Sequence, residues 1–298
     1  MSFKPADLPD LSGKIAVVTG ANSGIGFHAS RHLADHGARV VLAVRDLQAG
    51  AEAAAKMPGD TEVEHLDLAS QASVAAFAER WTGPLDLLVN NAGIMRPPAY
   101  RETEDGHELM FGTNHYGHFA LTGRLLPALL AAPAPRVVTI ASIAHLGGDA
   151  GVVDANPEAT YDANKYYAQS KLANLMFARE LHKRAAAAGS PLTSTAAHPG
   201  VSSTGLIIDP DGMGANWIFR TVGPFILPLL FQPAAAGANP TLYAATLAEP
   251  GSYTGPQWIG ESRGPIGPAR LNPYAEDDDL AARLWKESEA ATGVTFAF

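Results

Sequence analysis

Short runs of aliphatic and β-branched residues recur through the first half of the chain, each followed by a longer Ala-rich stretch with helical spacing of its apolar positions. The runs 15–19, 39–44, 62–66, 85–90 and 136–141 predict strands, and 25–36, 47–57 and 72–81 predict the helices between them. Gly37 and Gly83 stand where a helix C-terminus favours glycine, and Pro58 stops the second helix. The strand runs are apolar at successive positions rather than alternating, which suits a parallel sheet covered by helices on both faces. A long helix over 166–188, a strand over 193–198 and helices over 234–247 and 277–292 continue the pattern. A Gly- and Pro-interrupted apolar segment occupies 217–231. With no linker and no internal repeat, the expectation is one doubly wound α/β domain over 1–298.

Composition narrows the functional classes. The formal charge is −9, and no Lys/Arg cluster is present to release counterions from a phosphate backbone, so a nucleic-acid partner is not expected. The chain has no cysteine, which excludes disulfides, thiolate metal sites and cysteine nucleophiles and suits a reducing compartment. No apolar stretch of signal-peptide length precedes Ile15, so the expected location is cytoplasmic. The acidic run 276–279 opens the last helix, where it complements the dipole and is assigned no binding role.

The first strand leads directly into Thr19, Gly20, Ala21, Asn22, Ser23, Gly24, Ile25 and Gly26, and then a helix. In such a strand-to-helix turn Gly20 allows the tight exit, Gly24 lets the backbone approach a pyrophosphate, and Gly26 permits close helix packing. The helix N-terminus supplies N–H donors to the anion. The spacing is GxxxGxG rather than GxGxxG. At the end of the second strand, an acid would hold a ribose 2′-hydroxyl. Val44 fills that slot and Arg45 follows, a guanidinium suited to a 2′-phosphate, which points to NADP(H) despite Asp46 next door. Asp67 and Leu68 close the third strand, and Asp67 is placed either to accept from an adenine amino group or to cap the helix near Ser70.

Two stretches fit Tyr-x-x-x-Lys, at 161–165 and 167–171, and spacing alone does not choose between them. Four residues along a helix bring phenol and ammonium to one face, where the cation favours the ionised phenol and lowers its pKa from near 10. Such a pair works as a general acid–base near neutral pH.

Tyr167 to Asn174 resembles the short-chain dehydrogenase/reductase family, and the resemblance selects Tyr167 over Tyr161. It continues in order through Thr19–Gly26, Asn90, Asn91, Ala92 and Gly93, Asn114, Ser142, and His198, Pro199 and Gly200. The runs 114–119 and 142–145, with Leu284, Trp285, Ser288, Glu289, Thr292 and Gly293, resemble the retinol dehydrogenase and WW-domain oxidoreductase branch. The resemblance implies a Rossmann fold and a hydride transfer between NADP(H) and a carbonyl or alcohol. Tyr167 is then the proton donor or acceptor, Ser142 positions the substrate oxygen, Lys171 binds the nicotinamide ribose, and Asn114 holds a relay water. Asn91, Ala92 and Gly93 would lie along the adenosine ribose. Val201 and Thr204 would sit where the family holds the carboxamide, with Thr204 equally able to cap a helix. His115, His118, His145 and His198 lack metal-ligand spacing and read as structural; no metal is expected.

Substrate walls are expected from 94–100, from the stretch between Ser142 and Tyr167, and from 206–231, with 204–233 as the lid. The apolar character of 217–231 suggests a lipophilic carbonyl or alcohol as the small-molecule partner; the plainer reading is core packing. The segment is too short to span a bilayer and is broken by Gly223, Pro224 and Pro228, so membrane contact is not expected. The resemblance also implies pairing of two copies through the long helices flanking the sheet. The competing reading from another class is a regulatory protein that binds NADP(H) without turnover, which the intact Tyr167, Lys171, Ser142 and Asn114 oppose. Epimerase chemistry on the same tyrosine is disfavoured by the glycine spacing.

Overall fold

The computed structural model describes residues 3–154, 158–203 and 232–298. The elements run β1 (Ile15–Thr19), α1 (Gly24–Asp35), β2 (Arg39–Val44), α2 (Leu47–Ala54), β3 (Thr61–His65), α3 (Gln71–Arg80), β4 (Leu87–Asn90), α4 (Leu109–Phe111), a π-helical turn Gly112–Tyr116, α5 (Gly117–Arg124), α6 (Leu126–Leu130) and β5 (Arg136–Ile140). There follow α7 (Ala163–Ala187), β6 (Thr193–Ala197), β7 (Ser202–Ser203), β8 (Gln232–Pro233), α8 (Ala234–Thr246), β9 (Tyr253–Trp258), β10 (Arg263–Pro268) and α9 (Asp278–Thr292). Eight strands form one sheet in the order β10-β9-β6-β5-β4-β1-β2-β3. Every pairing from β3 to β9 is parallel, and β10 closes the edge antiparallel to β9. The switch in strand order falls between β1 and β4, and ligands of such sheets bind beyond the carboxyl ends there.

The doubly covered sheet follows from the strand composition. The interior strands β1, β2, β4, β5 and β6 are buried along almost their whole length. One face packs Val18, Val40, Leu42, Val89 and Val138 against α1 and α8 through Leu33 and Leu242. The other packs Val17, Val41, Leu88 and Val137 against α3, α5, α7 and α9. There Phe119 meets the Trp285 ring edge-on at 5.1 Å, and Phe177 stacks on Trp285 at 5.8 Å. The C-terminal helix is thereby part of the core rather than an appendage.

Two expectations need correction. β3 is not apolar on both faces: it is the sheet edge, and its Glu62 and Glu64 reach solvent, pairing with Arg39 and with Arg80 (3.1 Å). The β9–β10 hairpin escaped the sequence reading because Gly255, Pro256, Gly264, Pro265, Gly267 and Pro268 interrupt any β-branched run. Pro265 and Pro268 are tolerated because β10 is the edge strand, and Pro256 of β9 lies beyond that strand's pairing with β6 at Tyr253 and Thr254. The acidic run does open α9: Asp277 accepts from Leu280 N at 2.9 Å, and Asp278 pairs with Lys183. No described helix is long and apolar enough to cross a membrane.

Because Phe119 is fully buried between Phe177, Trp285 and Phe296, truncating it leaves a cavity that the sheet behind cannot fill. Phe119→Ala is expected to lower unfolding free energy by about 3–5 kcal/mol, read as a lower urea midpoint at unchanged slope.

Candidate active site

The turn after β1 has the conformation its glycines permit. Gly20 and Gly24 adopt φ of 65° and 56°, a region strained for residues with a Cβ. Gly26 is required for a different reason: a Cβ there would lie 2.5 Å from both the Gly20 carbonyl oxygen and Asn91 Nδ2. Asn91 in turn donates from Nδ2 to Thr19 O at 2.8 Å. The backbone N–H groups of Asn91 and Ala92 both donate to Thr19 Oγ1 at 2.9 Å. The loop leaving β4 is thus docked on the glycine turn. Ser23 occupies the N-cap of α1 without a side-chain bond to the helix, whereas Asp46, Ser70, Asp162 and Asp277 cap α2, α3, α7 and α9. The first-turn N–H groups of α1 suit an anion. Asn22, Ser23, Gly24 and Phe27 line an open cleft of ≈ 390 Å³ whose other side is formed by Ala49, Glu52 and Ala53 of α2 and by Lys56 just after it; Ile25 packs against the core below.

Arg45 is exposed just beyond β2. Its neighbour Asp46 accepts from Gln48 N at 2.9 Å and Ala49 N at 3.0 Å, so that carboxylate is committed to the start of α2. Asp67 does not cap α3, a role Ser70 takes; it closes the turn after β3 by accepting from Ala69 N at 2.9 Å. Leu68 is buried, and its carbonyl oxygen would lie 2.4 Å from any Cβ at Gly117.

The π-helical turn places Asn114 between two loops. Its Oδ1 accepts from Ile94 N at 2.8 Å, and its Nδ2 donates to Ile94 O and to Ser170 Oγ, both at 3.0 Å. Gly93 lies against this amide and the Lys171 ammonium: a Cβ there would stand 3.1 Å from Asn114 Oδ1 and 3.5 Å from Lys171 Nζ. Tyr167 and Lys171 lie one helical turn apart on α7, 6% and 4% exposed. The alternative pair separates: Tyr161 precedes α7 and donates to Pro97 O at 2.6 Å, while Lys165 pairs with Asp149 at 3.5 Å. Ser142 follows β5, accepts from Ala144 N at 3.2 Å, and its hydroxyl favours the ionised form of the Tyr167 phenol.

The electrostatics depart from the expectation that Lys171 acidifies the phenol. Burial dominates and raises the Tyr167 pKa above 10, with the Ser142 hydroxyl and the Arg96 guanidinium opposing it. The Lys171 ammonium is 5.9 Å from the ring centroid and donates to Ile140 O at 3.1 Å; burial brings its pKa down to about 8. The sequence reading missed Arg96, whose guanidinium carbon lies 5.6 Å from the Tyr167 ring centroid. No motif marks that position.

His118 was read as structural, and its hydrogen bonds define its tautomer. Nδ1 is 2.9 Å from the Asn114 carbonyl oxygen, which only accepts, so Nδ1 carries the proton. Nε2 then accepts from Thr19 Oγ1 at 2.9 Å, whose lone pairs are already taken by Asn91 and Ala92. A second ring proton has no acceptor, and burial lowers the His118 pKa to about 4. His115 bonds Ser288 Oγ at 2.8 Å, and His145 Nδ1 lies 2.6 Å from Ser142 O. Among the described residues no three side chains form a metal-ligating cluster. Beyond β6, Pro199 and Gly200 (φ 70°) lead to Val201, which donates from its N–H to Ser262 O at 2.9 Å. Thr204 and the lid expected over 204–233 lie outside the described residues, apart from Gln232 and Pro233 of β8.

A parallel sheet with a glycine-lined helix N-terminus at its switch point, and a Ser–Tyr–Lys set at the same edge, defines a dinucleotide-binding α/β protein equipped for acid–base chemistry. The chain matches the short chain dehydrogenase family model over residues 14–209 and belongs to that family. It is 38% identical to Retinol dehydrogenase 13 of Homo sapiens, covering 95% of this chain and 86% of that protein. It is 40% identical to Polyprenol dehydrogenase of Mus musculus, covering 98% and 87%. A crystal structure of an uncharacterized protein from Mycobacterium Paratuberculosis superposes with a TM-score of 0.84 at 41% identity over 100% of both chains. The chain is thus an oxidoreductase of the retinol dehydrogenase branch, in a family that acts on CH–OH and C=O groups with NAD(P) cofactors.

Burial makes His115 and His118 weaker bases folded than unfolded, with pKa values moved from 6.5 to about 3 and about 4. The unfolded chain therefore binds more protons, and stability should fall as pH drops below 6.5 and keep falling to about pH 4. The expected loss is roughly 2 kcal/mol per histidine between pH 6.5 and 5. Urea midpoints across that interval measure it, and a flat profile would contradict the assignment of neutral buried imidazoles.

Proposed function

We propose that the protein is an NADP(H)-dependent oxidoreductase that interconverts an alcohol and a carbonyl on a lipophilic small molecule. Tyr167 is the acid–base, Ser142 the partner that orients the substrate oxygen, Lys171 the ribose-side cation and Asn114 the brace of the site. The observation that carries this reading is the buried Tyr167–Lys171 pair one turn apart on α7, with the Lys171 ammonium held by Ile140 O two residues before Ser142, at the edge where the glycine turn emerges. A bound nicotinamide supplies or accepts the hydride. In the oxidative direction the alcohol O–H bond breaks and its proton passes to the Tyr167 phenolate oxygen. In reduction the same phenol returns that proton to the substrate oxygen. Ser142 and Tyr167 together supply donors to the oxygen where negative charge grows.

The preference for NADP(H) rests on Arg45, exposed beyond β2, and on Asp46 being committed to α2. A lipophilic substrate is supported by the apolar cluster around the phenol, where Ile94, Met110 and Tyr166 pack with Tyr167. The names of the retinol and polyprenol dehydrogenases point the same way.

Tyr167→Phe should abolish turnover in an NADPH-absorbance assay with a panel of apolar aldehydes and ketones, while NADPH affinity changes by no more than about twofold, because the phenol acts on the substrate oxygen. Tyr161→Phe should stay active, and the reverse pattern would overturn the assignment. Arg45→Ala should weaken NADPH binding by about 10–100-fold through loss of a charge-assisted contact, with NADH little affected. Equal losses for both cofactors would remove Arg45 from that role.

A further inference from the structure

Arg96 is one of three described non-glycine residues with positive φ, at 54°. A residue with a Cβ adopts that conformation only where its surroundings impose it. Here the loop is fixed on both sides and at Arg96 itself. Asn114 holds the N–H and carbonyl of Ile94, Tyr161 donates to Pro97 O at 2.6 Å, and Arg96 N donates to Met110 Sδ at 3.2 Å. The clamped loop sends the guanidinium inward: its carbon stands 5.6 Å from the Tyr167 ring centroid, within cation–π range, and its Nε is buried without a hydrogen-bond partner. An arginine at a loop surface would ordinarily extend into water, so both its backbone and its desolvated Nε are costs that require a compensating interaction.

We infer that Arg96 is a positioning residue for the acid–base step, a second cation that faces the Tyr167 ring and favours its ionised form. This rests on the reading of Tyr167 as the acid–base. The charge balance around the phenol supports it. From its own helix comes Lys171, at 5.9 Å from the ring and bonded to Ile140 O; from β9 comes Tyr253, whose phenol burial keeps neutral; Ser142 adds an uncharged hydroxyl. Tyr161 and Tyr166, in the same cluster, are phenols too. Arg96 therefore supplies a positive charge from the loop after β4, and it opposes the effect of burial on Tyr167.

The test uses the full chain labelled with ζ-13C tyrosine and saturated with NADP+, with the Tyr167 resonance identified by its loss in Tyr167→Phe. Arg96→Met and Arg96→Gly should raise the Tyr167 titration midpoint by about one pH unit, the size expected for losing a nearby opposite charge. Arg96→Lys should recover most of that shift. The acid limb of kcat/KM for alcohol oxidation should move upward in parallel, because the base must be ionised, while NADPH affinity holds. Arg96→Gly relieves the left-handed backbone, so it guards against loss of folding in the Met variant. An unchanged midpoint in Arg96→Gly, with Tyr167→Phe inactive, would overturn this inference alone. Wild-type turnover in Tyr167→Phe would overturn the acid–base reading and the inference with it.

Discussion

One hydroxyl joins the two halves of the site. Thr19 Oγ1 ends the first strand, accepts the N–H groups of Asn91 and Ala92, and donates to His118, whose other nitrogen holds the Asn114 carbonyl. The glycine turn, the loop beyond β4 and the π-helical turn are therefore tied through a single buried group, and each takes its position from the other two. The bonds have one consistent direction only with a neutral His118 protonated on Nδ1. A fully satisfied buried network of this kind rigidifies what it connects, and here it connects the residues suited to a dinucleotide with those suited to the reacting oxygen.

The same burial that makes the junction rigid works against the chemistry nearby. Removing Tyr167 from water favours the neutral phenol, and removing Lys171 favours the neutral amine. Tyrosine and lysine at helical spacing are thus insufficient by themselves to prepare a base at neutral pH. The hydroxyl of Ser142 and the charge of Arg96 both act against desolvation, and each arrives from a different strand end, β5 and β4. The sheet brings such groups together because its parallel strands deliver their carboxyl ends to one edge.

Periodicity and glycine spacing are local, and they made most of the sheet and the turn after β1 legible, whereas the choice of Tyr167 over Tyr161 came from the family resemblance. The predicted 85–90, 136–141 and 193–198 strands lie within two residues of β4, β5 and β6, and Tyr167 with Lys171 sits on the predicted long helix. What was hidden depends on contacts made at long range. Nothing around Arg96 announces a left-handed arginine, since its conformation is imposed by Asn114, Met110 and Tyr161. His118 looked structural and is, but its partner Thr19 lies 99 positions away. Asp46 looked like a competitor for the ribose and is a helix cap, a distinction visible only once Gln48 and Ala49 are seen to donate to it.

The strand pair that periodicity overlooked explains how Ser142 is held. His145 Nδ1 lies 2.6 Å from the Ser142 carbonyl oxygen, and the His145 carbonyl accepts from Asn272 at 2.8 Å. The Tyr253 hydroxyl of β9 stands 3.5 Å from the same Nδ1. Beside it, His198 accepts from Gly200 N through Nδ1, leaving Nε2 to face Glu261 at 3.3 Å, and Arg270 holds that carboxylate from the other side at 3.2 Å. Glycine at 255 is what lets β9 pass His198, since a Cβ there would lie 1.9 Å from Nε2. The Gly- and Pro-rich composition that disguised β9 is therefore part of its use. Bare backbone brings the sheet edge close enough for buried side chains to brace the turn that carries the serine.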